Sequence, residues 1–366
     1  MDCLYTSVNR RNLALDNAKL ILVFLVVLGH LVEPVLSYFQ SPLYINVLYG
    51  WIYLFHMPAF VIVSGYLAGK STSRDFVRSI LVPLFSFTVL YELLNYILFG
   101  SLSNYLFMLM PYWLLWYLFS LYIWRSVVMR YPEPMLLLRV SLCVSLLFGF
   151  LGVFGSFFGL ARTVYFFPFF VFGYALAIGR FSRFSLCSSS RWFYVFTFLS
   201  IVVFAFSYYA LSSLLSVVCK PGVAYYDFSF ARLVSLLYGT KGYWHLGVGV
   251  FDALLIKVMV YLFSFLLAYS FLKAVVAKSC FFSAWGKNTL YVFLWHGLVV
   301  KFLSSIGLFH GLLGINSGLA LVFAFVFAVF LTWQLSKDRV AHFTEECIFT
   351  PVYVLVSSLR RRISSA

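Results

Sequence analysis

The sequence predicts an all-α polytopic membrane protein, a bundle of about ten transmembrane helices with both termini on the cytoplasmic side. Three observations carry this expectation. Of 366 residues, 63% are hydrophobic and only 10% are charged, and the mean hydropathy is +0.98. A soluble domain of this size carries about a quarter of its residues as charges. The apolar stretches are long and continuous and lack the ten-residue alternation of a barrel, so helices are the spanning element. The basic residues segregate: of 26 Lys and Arg, only Arg162, Lys220, Arg232, Lys241 and Lys301 fall outside, and Lys257 falls within a span, when the N-terminus is placed inside. The formal charge of +15 is thereby explained as topology, and nucleic-acid binding is not implied.

A spanning helix needs roughly 20 mostly apolar residues. Such stretches occur at Leu20–Tyr38, Leu43–Leu67, Ile80–Phe99, Tyr112–Val128 and Met135–Phe154. They continue at Tyr165–Ile178, Trp192–Leu211, Phe251–Leu272, Leu290–Ile306 and Leu319–Leu335. The sixth is short and extensible upstream. Ser101–Pro111 reads as interfacial or re-entrant, and Val218–Gly249 is the longest non-spanning loop. The chain is expected to be one domain over 1–366, with a cytoplasmic N-terminus at 1–19, the bundle at 20–335 and a cytoplasmic tail at 336–366. Arg10 and Arg11 precede the first span as in a signal peptide, but no small-residue cleavage site follows, so it is read as a retained helix.

Ionisable groups within a span cost about 2.5–3.5 kcal/mol each and mark function more often than packing. The first helix is richest in them. Asp16, Lys19, His30 and Glu33 share a stripe about 100° wide, and Lys19 lies about 16 Å below His30. A carboxylate at i+3 can set a histidine's tautomer and stabilise its protonated form, which is what a general base requires. The alternative is structural: an interfacial Asp16–Lys19 pair and a satisfied His30–Glu33 pair.

Other intramembrane candidates are His56, Glu92, Arg162, Asn288 and His296. No two of the intramembrane histidines share an i+3 or i+4 spacing, and the six cysteines are scattered, so no metal site is expected. Lys70, Arg74 and Arg78 cluster at the inner end of the second span. They serve either topology or a phosphate-bearing ligand.

Six segments in order resemble the acyltransferase-3 family, in particular its fucose 4-O-acetylase-like branch. They are Leu15-Asp16-Asn17-Ala18-Lys19 with Val26-Val27-Leu28-Gly29-His30; Phe55-His56-Met57-Pro58 with Val63-Ser64-Gly65-Tyr66-Leu67; and Arg78 with Leu81-Val82-Pro83. Leu115-Trp116-Tyr117-Leu118, Phe166-Phe167-Pro168-Phe169-Phe170 with Phe172-Gly173-Tyr174, and Trp285-Gly286-Lys287-Asn288-Thr289-Leu290-Tyr291 leading to His296 complete them. The resemblance implies acyl transfer, commonly of acetyl from acetyl-coenzyme A, to a hydroxyl of a sugar in a surface glycan or its precursor. It implies functional roles for His30, Lys19 and Arg78; together with the polar stripe and the inner basic cluster, the expectation is His30 as the catalytic base with Glu33 holding it, and Asp16, Lys19, Lys70, Arg74 and Arg78 at the donor. Many relatives carry Arg where this chain has Lys19, and two Arg three apart where Arg74 and Arg78 stand four apart. No permanently bound cofactor is expected; acetyl-coenzyme A, a sugar acceptor and the lipid bilayer are the expected partners, in a bacterial inner membrane. Transfer is direct or proceeds through an acyl-enzyme. The competing reading is a glycan or lipid-linked-sugar flippase, although the inverted repeats common in such proteins are not visible.

Overall fold

The computed structural model describes residues 13–36, 43–71, 75–103, 111–131, 133–151, 159–181, 190–218, 242–243, 249–275, 281–309, 311 and 316–364. These residues are helical, with no strand among them. Among the described residues, ten helices make the bundle: α1 Leu13–Leu36, α2 Leu43–Lys70, α3 Val82–Phe99, α4 Trp116–Arg130, α5 Pro134–Phe148, α6 Leu160–Ala177, α7 Ser190–Val218, α8 Val250–Ala274, α9 Thr289–Ser305 and α10 Ser317–Leu335. A π-helical turn, Val77–Leu81, precedes α3, and 3-10 turns at Trp113–Leu115 and Ser283–Lys287 precede α4 and α9. Among the described residues, six helices are long and apolar enough to cross a membrane, and three shorter apolar segments lie in α5, α7 and α9.

The helix boundaries differ from the apolar runs where polar residues belong to a helix. α1 begins at Leu13, seven residues before the predicted span, so Asp16 and Lys19 lie within it. α6 begins at Leu160 and carries Arg162 in its first turn. Beyond α10 the chain stays helical, as α11 Asp338–Thr344, a π-turn Glu345–Phe349 and α12 Thr350–Ser364. These segments return to α3 and α9.

In a lipid solvent there is little hydrophobic drive between helices, so close backbone approach and hydrogen bonds decide the packing. α2 is central, packing against α1, α6, α7 and α8. A Cβ on Gly65 would collide with the Phe170 carbonyl, and one on Gly173 with the Ile62 carbonyl. The two small residues thus let α2 and α6 touch backbone to backbone. Ser64 donates to the Phe60 carbonyl at 2.9 Å and so accepts from the Tyr117 hydroxyl, tying α2 to α4. Trp124 Nε1 donates to Thr163 O at 2.9 Å, and Ser120 bonds the Thr163 hydroxyl at 2.6 Å, tying α4 to α6. Gly286 lies against the Asp16 backbone with no room for a side chain, which fixes the turn before α9 onto α1. α1 and α9 therefore run side by side.

Candidate active site

That adjacency brings together two histidines 266 residues apart. His30 Nδ1 and His296 Nε2 are 3.0 Å apart, and the rings stack with centroids 5.3 Å apart and an interplanar angle of 13°. His296 is fully buried, and its Nδ1 lies 3.0 Å from Val292 O, one helical turn back. A carbonyl oxygen only accepts, so His296 Nδ1 carries the hydrogen and a neutral His296 presents a lone pair at Nε2. That lone pair accepts from His30 Nδ1–H, leaving the His30 Nε2 lone pair as the open basic position. His30 is only partly buried.

This arrangement differs from the pairing that the i+3 spacing suggested. The described hydrogen bond of His30 goes to His296, and Glu33 Oε2 has no hydrogen-bond partner among the described residues. Arg162 supplies a cation near this end of the site. Its guanidinium lies over the Trp116 ring at 5.4 Å, close enough to act electrostatically on both His30 and Glu33. The ties through Ser120, Trp124 and Thr163 hold the first turn of α6, and hence Arg162, in that place.

Trp113 closes the other flank of His30, with ring centroids 4.7 Å apart. It is the one non-glycine residue with positive φ among the described residues, at 21°. Backbone held in such a region costs about 1–3 kcal/mol and collects at functional sites. Gly297 beside His296 leaves space for Tyr91 and Leu114 to approach, where a Cβ would collide.

The remaining candidates make their described hydrogen bonds elsewhere, although His56 lies close enough to act electrostatically on His30. His56 is buried and bonds the Ile52 carbonyl at 2.6 Å within its own helix, its ring edge-on to Tyr53. Glu92 is buried and accepts from the Ser103 backbone N–H at 2.9 Å and from its hydroxyl, fastening the chain beyond α3. Asn288 donates to Ser336 O at 2.7 Å and to Asp338 Oδ1 at 2.8 Å, so it joins the start of α9 to the end of α10 rather than facing His30. Lys287 pairs with the same aspartate at 2.6 Å. Hydrogen bonds from Lys287 and then Asn288 hold the Asp338 carboxyl below its ordinary range.

At the inner end, Lys19 pairs with Asp16 at 2.8 Å, about 16 Å along α1 from His30. Lys70 is exposed beside the Tyr66 ring, and Arg74 lies outside the described residues. Arg78 faces a cavity of 710 Å³ bounded by the π-turn, Leu290 and the C-terminal helices. Its guanidinium lies 5.5 Å from the Tyr353 ring. Asp75, Glu345 and Glu346 line the same cavity, with His342 paired to Glu346 at 3.1 Å. Among the described residues, no set of three His, Cys, Asp or Glu is placed to hold a metal ion.

Reading the sequence alone left Trp113, Tyr112 and Lys301 unremarked. Tyr112 and Trp113 read as apolar members of a span, and Lys301 as one of the few outer charges. The one local cue was Pro111, which disfavours a helical residue before it and so marks a turn ahead of α4.

The chain is 29% identical over 186 residues to nodulation protein NolL of Sinorhizobium fredii (strain NBRC 101917 / NGR234), covering 46% of this chain and 50% of that protein. It is 32% identical over 131 residues to nodulation protein NolL of Mesorhizobium japonicum (strain LMG 29417 / CECT 9101 / MAFF 303099), covering 31% and 35%. The matched regions thus span half or less of these relatives. No solved structure matches the chain. The acyltransferase domain family matches residues 12–337, from one residue before α1 to two residues past α10 and across the whole bundle that holds the histidine pair, and the chain belongs to that acyltransferase-3 family.

Proposed function

We propose that the chain is a multi-pass membrane O-acyltransferase that moves acetyl from acetyl-coenzyme A to a hydroxyl of a sugar in a surface glycan or its precursor. The observation that carries the reading is the ordered chain from Val292 O through His296 to His30, which leaves a lone pair on His30 Nε2. A general base needs a defined tautomer and a fixed ring, and a second group behind it supplies both. In the direct route, His30 Nε2 takes the proton of the acceptor hydroxyl as its oxygen attacks the thioester carbonyl. The carbon–sulfur bond then breaks, and the coenzyme A thiolate recovers the proton from His30. His296 keeps the imidazolium oriented through its Nε2, and Glu33 opposes its charge at a distance.

The donor would enter from the cytoplasmic end, its phosphates met by Lys19, Lys70, Arg74 and Arg78 and its thioester arm running along α1. Asp16 already holds Lys19, and three carboxylates share the cavity with Arg78. Donor binding at those cations therefore involves displacing or outcompeting carboxylates. One domain over 1–366 in a bacterial inner membrane completes the reading. The test is direct: purified, membrane-inserted protein is incubated with labelled acetyl-coenzyme A and a panel of methyl glycosides. Acetylated glycoside is the expected product. Movement of lipid-linked sugar without any acetyl transfer would overturn the reading in favour of a flippase.

A further inference from the structure

Trp113 packs against the core over only part of its surface. From Tyr112 to Leu118 every side chain is buried except Trp113, which stays partly open beside His30. Its neighbours are firmly held. Lys301 Nζ donates to the Tyr112 hydroxyl and to Asn95 Oδ1 at 2.7 Å, and lies 4.5 Å from the Tyr112 ring centroid. The Tyr112 ring stacks on Tyr91 at 4.9 Å, and Asn95 Nδ2 reaches Ser101 O at 2.8 Å. Leu115 N–H closes back on Tyr112 O at 2.6 Å. Trp113 thus follows an anchored tyrosine and opens a 3-10 turn whose other two residues are buried, with positive φ, and its indole lies against the His30 ring. A large apolar side chain that is neither buried nor relaxed, yet rigidly mounted 4.7 Å from the basic imidazole, is a surface prepared for a ligand.

We propose that Trp113 is the acceptor-binding platform, a carbohydrate-stacking face that sets which hydroxyl meets His30 Nε2. This rests on the reading of the chain as a sugar O-acyltransferase. The face of an indole is negative and attracts the positive edges of C–H bonds. A pyranose offers such bonds on its less polar face, while its hydroxyls project around the rim. A sugar lying on Trp113 therefore presents a rim hydroxyl towards His30, and its axial substituents decide whether that face lies flat. The ligand class is a hexose or deoxyhexose with one unobstructed C–H face.

The experiment compares wild type with Trp113→Leu, which keeps apolar bulk but loses the ring, and Trp113→Phe, which keeps a ring. Transfer of labelled acetyl to methyl glycosides of common hexoses and 6-deoxyhexoses is measured, with KM taken separately for glycoside and donor. Trp113→Leu is expected to raise the glycoside KM about 3- to 10-fold, the size of an aromatic contact. Trp113→Phe should stay near wild type, with donor KM unchanged in both. Equal glycoside KM for Leu and Phe, or a shift in donor KM alone, would overturn the platform. If Trp113→Leu does not insert, wild type decides: saturating glycoside should slow N-bromosuccinimide oxidation of Trp113, followed by peptide mass spectrometry. Unslowed oxidation by a glycoside that is acetylated overturns the platform while leaving acyl transfer intact. Failure of wild type to acetylate any glycoside overturns the functional reading, and the platform with it.

Discussion

The inner end of the bundle and the middle of it handle polar groups in opposite ways. At the inner end, cations sit beside carboxylates: Lys19 with Asp16, Lys287 with Asp338, and Arg78 in a cavity shared with Asp75, Glu345 and Glu346. Around His30 the groups in contact are rings and a backbone carbonyl, joined by hydrogen bonds, with Arg162 over Trp116. Water reaches the inner surface, where ion pairs contribute little to stability and can exchange partners cheaply. A polar chain at mid-bundle has no such exchange available, so its geometry is determined by the protein alone. On the proposed reading, the inner end catches a charged donor and the middle holds a proton acceptor still.

The largest expected effect lies in the middle. His30→Ala should lower the acyl-transfer rate about 10²–10⁴-fold while insertion and yield stay near wild type. A purified variant that kept more than about a tenth of the rate would make the pair structural and erase the contrast with the inner end. His296→Ala leaves His30 without its orienting acceptor and should cost about 10²-fold. If the two act as a unit, the double variant should be no slower than His30→Ala, a non-additivity that rate measurements on all three proteins would read. Simple additivity would mean that His296 serves packing.

Smaller effects are expected at the inner end. Lys19→Gln or Arg78→Gln should raise the donor KM about 10- to 100-fold with less change in maximal rate, because the contact is remote from the reacting carbonyl. Asp16→Asn sharpens the comparison: releasing Lys19 from its partner should lower donor KM if Lys19 meets phosphate. Titrating acetyl-coenzyme A against these variants with no change in KM would leave the inner charges as topology alone.

The smallest effect concerns Asp338, whose carboxyl is held below its ordinary value of 3.8 by Lys287 and Asn288. A depressed folded-state value means that the stabilisation is present above the unfolded value and is lost as pH falls through the folded one. Thermal melts of wild type should therefore fall off more steeply below about pH 4 than those of Asp338→Asn. Parallel curves for the two proteins would mean that this exposed junction contributes nothing measurable.

Much of this was legible in the residues themselves. Composition, the spacing of apolar runs and the bias of Lys and Arg pointed to the all-helical bundle of about ten, because lipid tolerates only helices and closed barrels and the runs lack a barrel's alternation. The motifs carrying Gly65, Gly173 and Gly286 marked the family, and the structure assigns each glycine to a close backbone approach. His30 stood out because an ionisable group in an apolar helix is expensive. His296 was a candidate too, but its pairing with His30 was not legible. Helical periodicity relates residues three or four apart, so it pointed to Glu33; only the packing of α1 against α9 placed His296, 266 positions away, against the ring. The same limit concealed Trp113, since the features that distinguish it are a backbone angle, partial exposure and a neighbouring imidazole, none of which has a one-dimensional signature. Local pattern decides which helices form and where polar groups enter the membrane; which polar groups meet is decided by helix packing, through contacts between residues far apart in the chain.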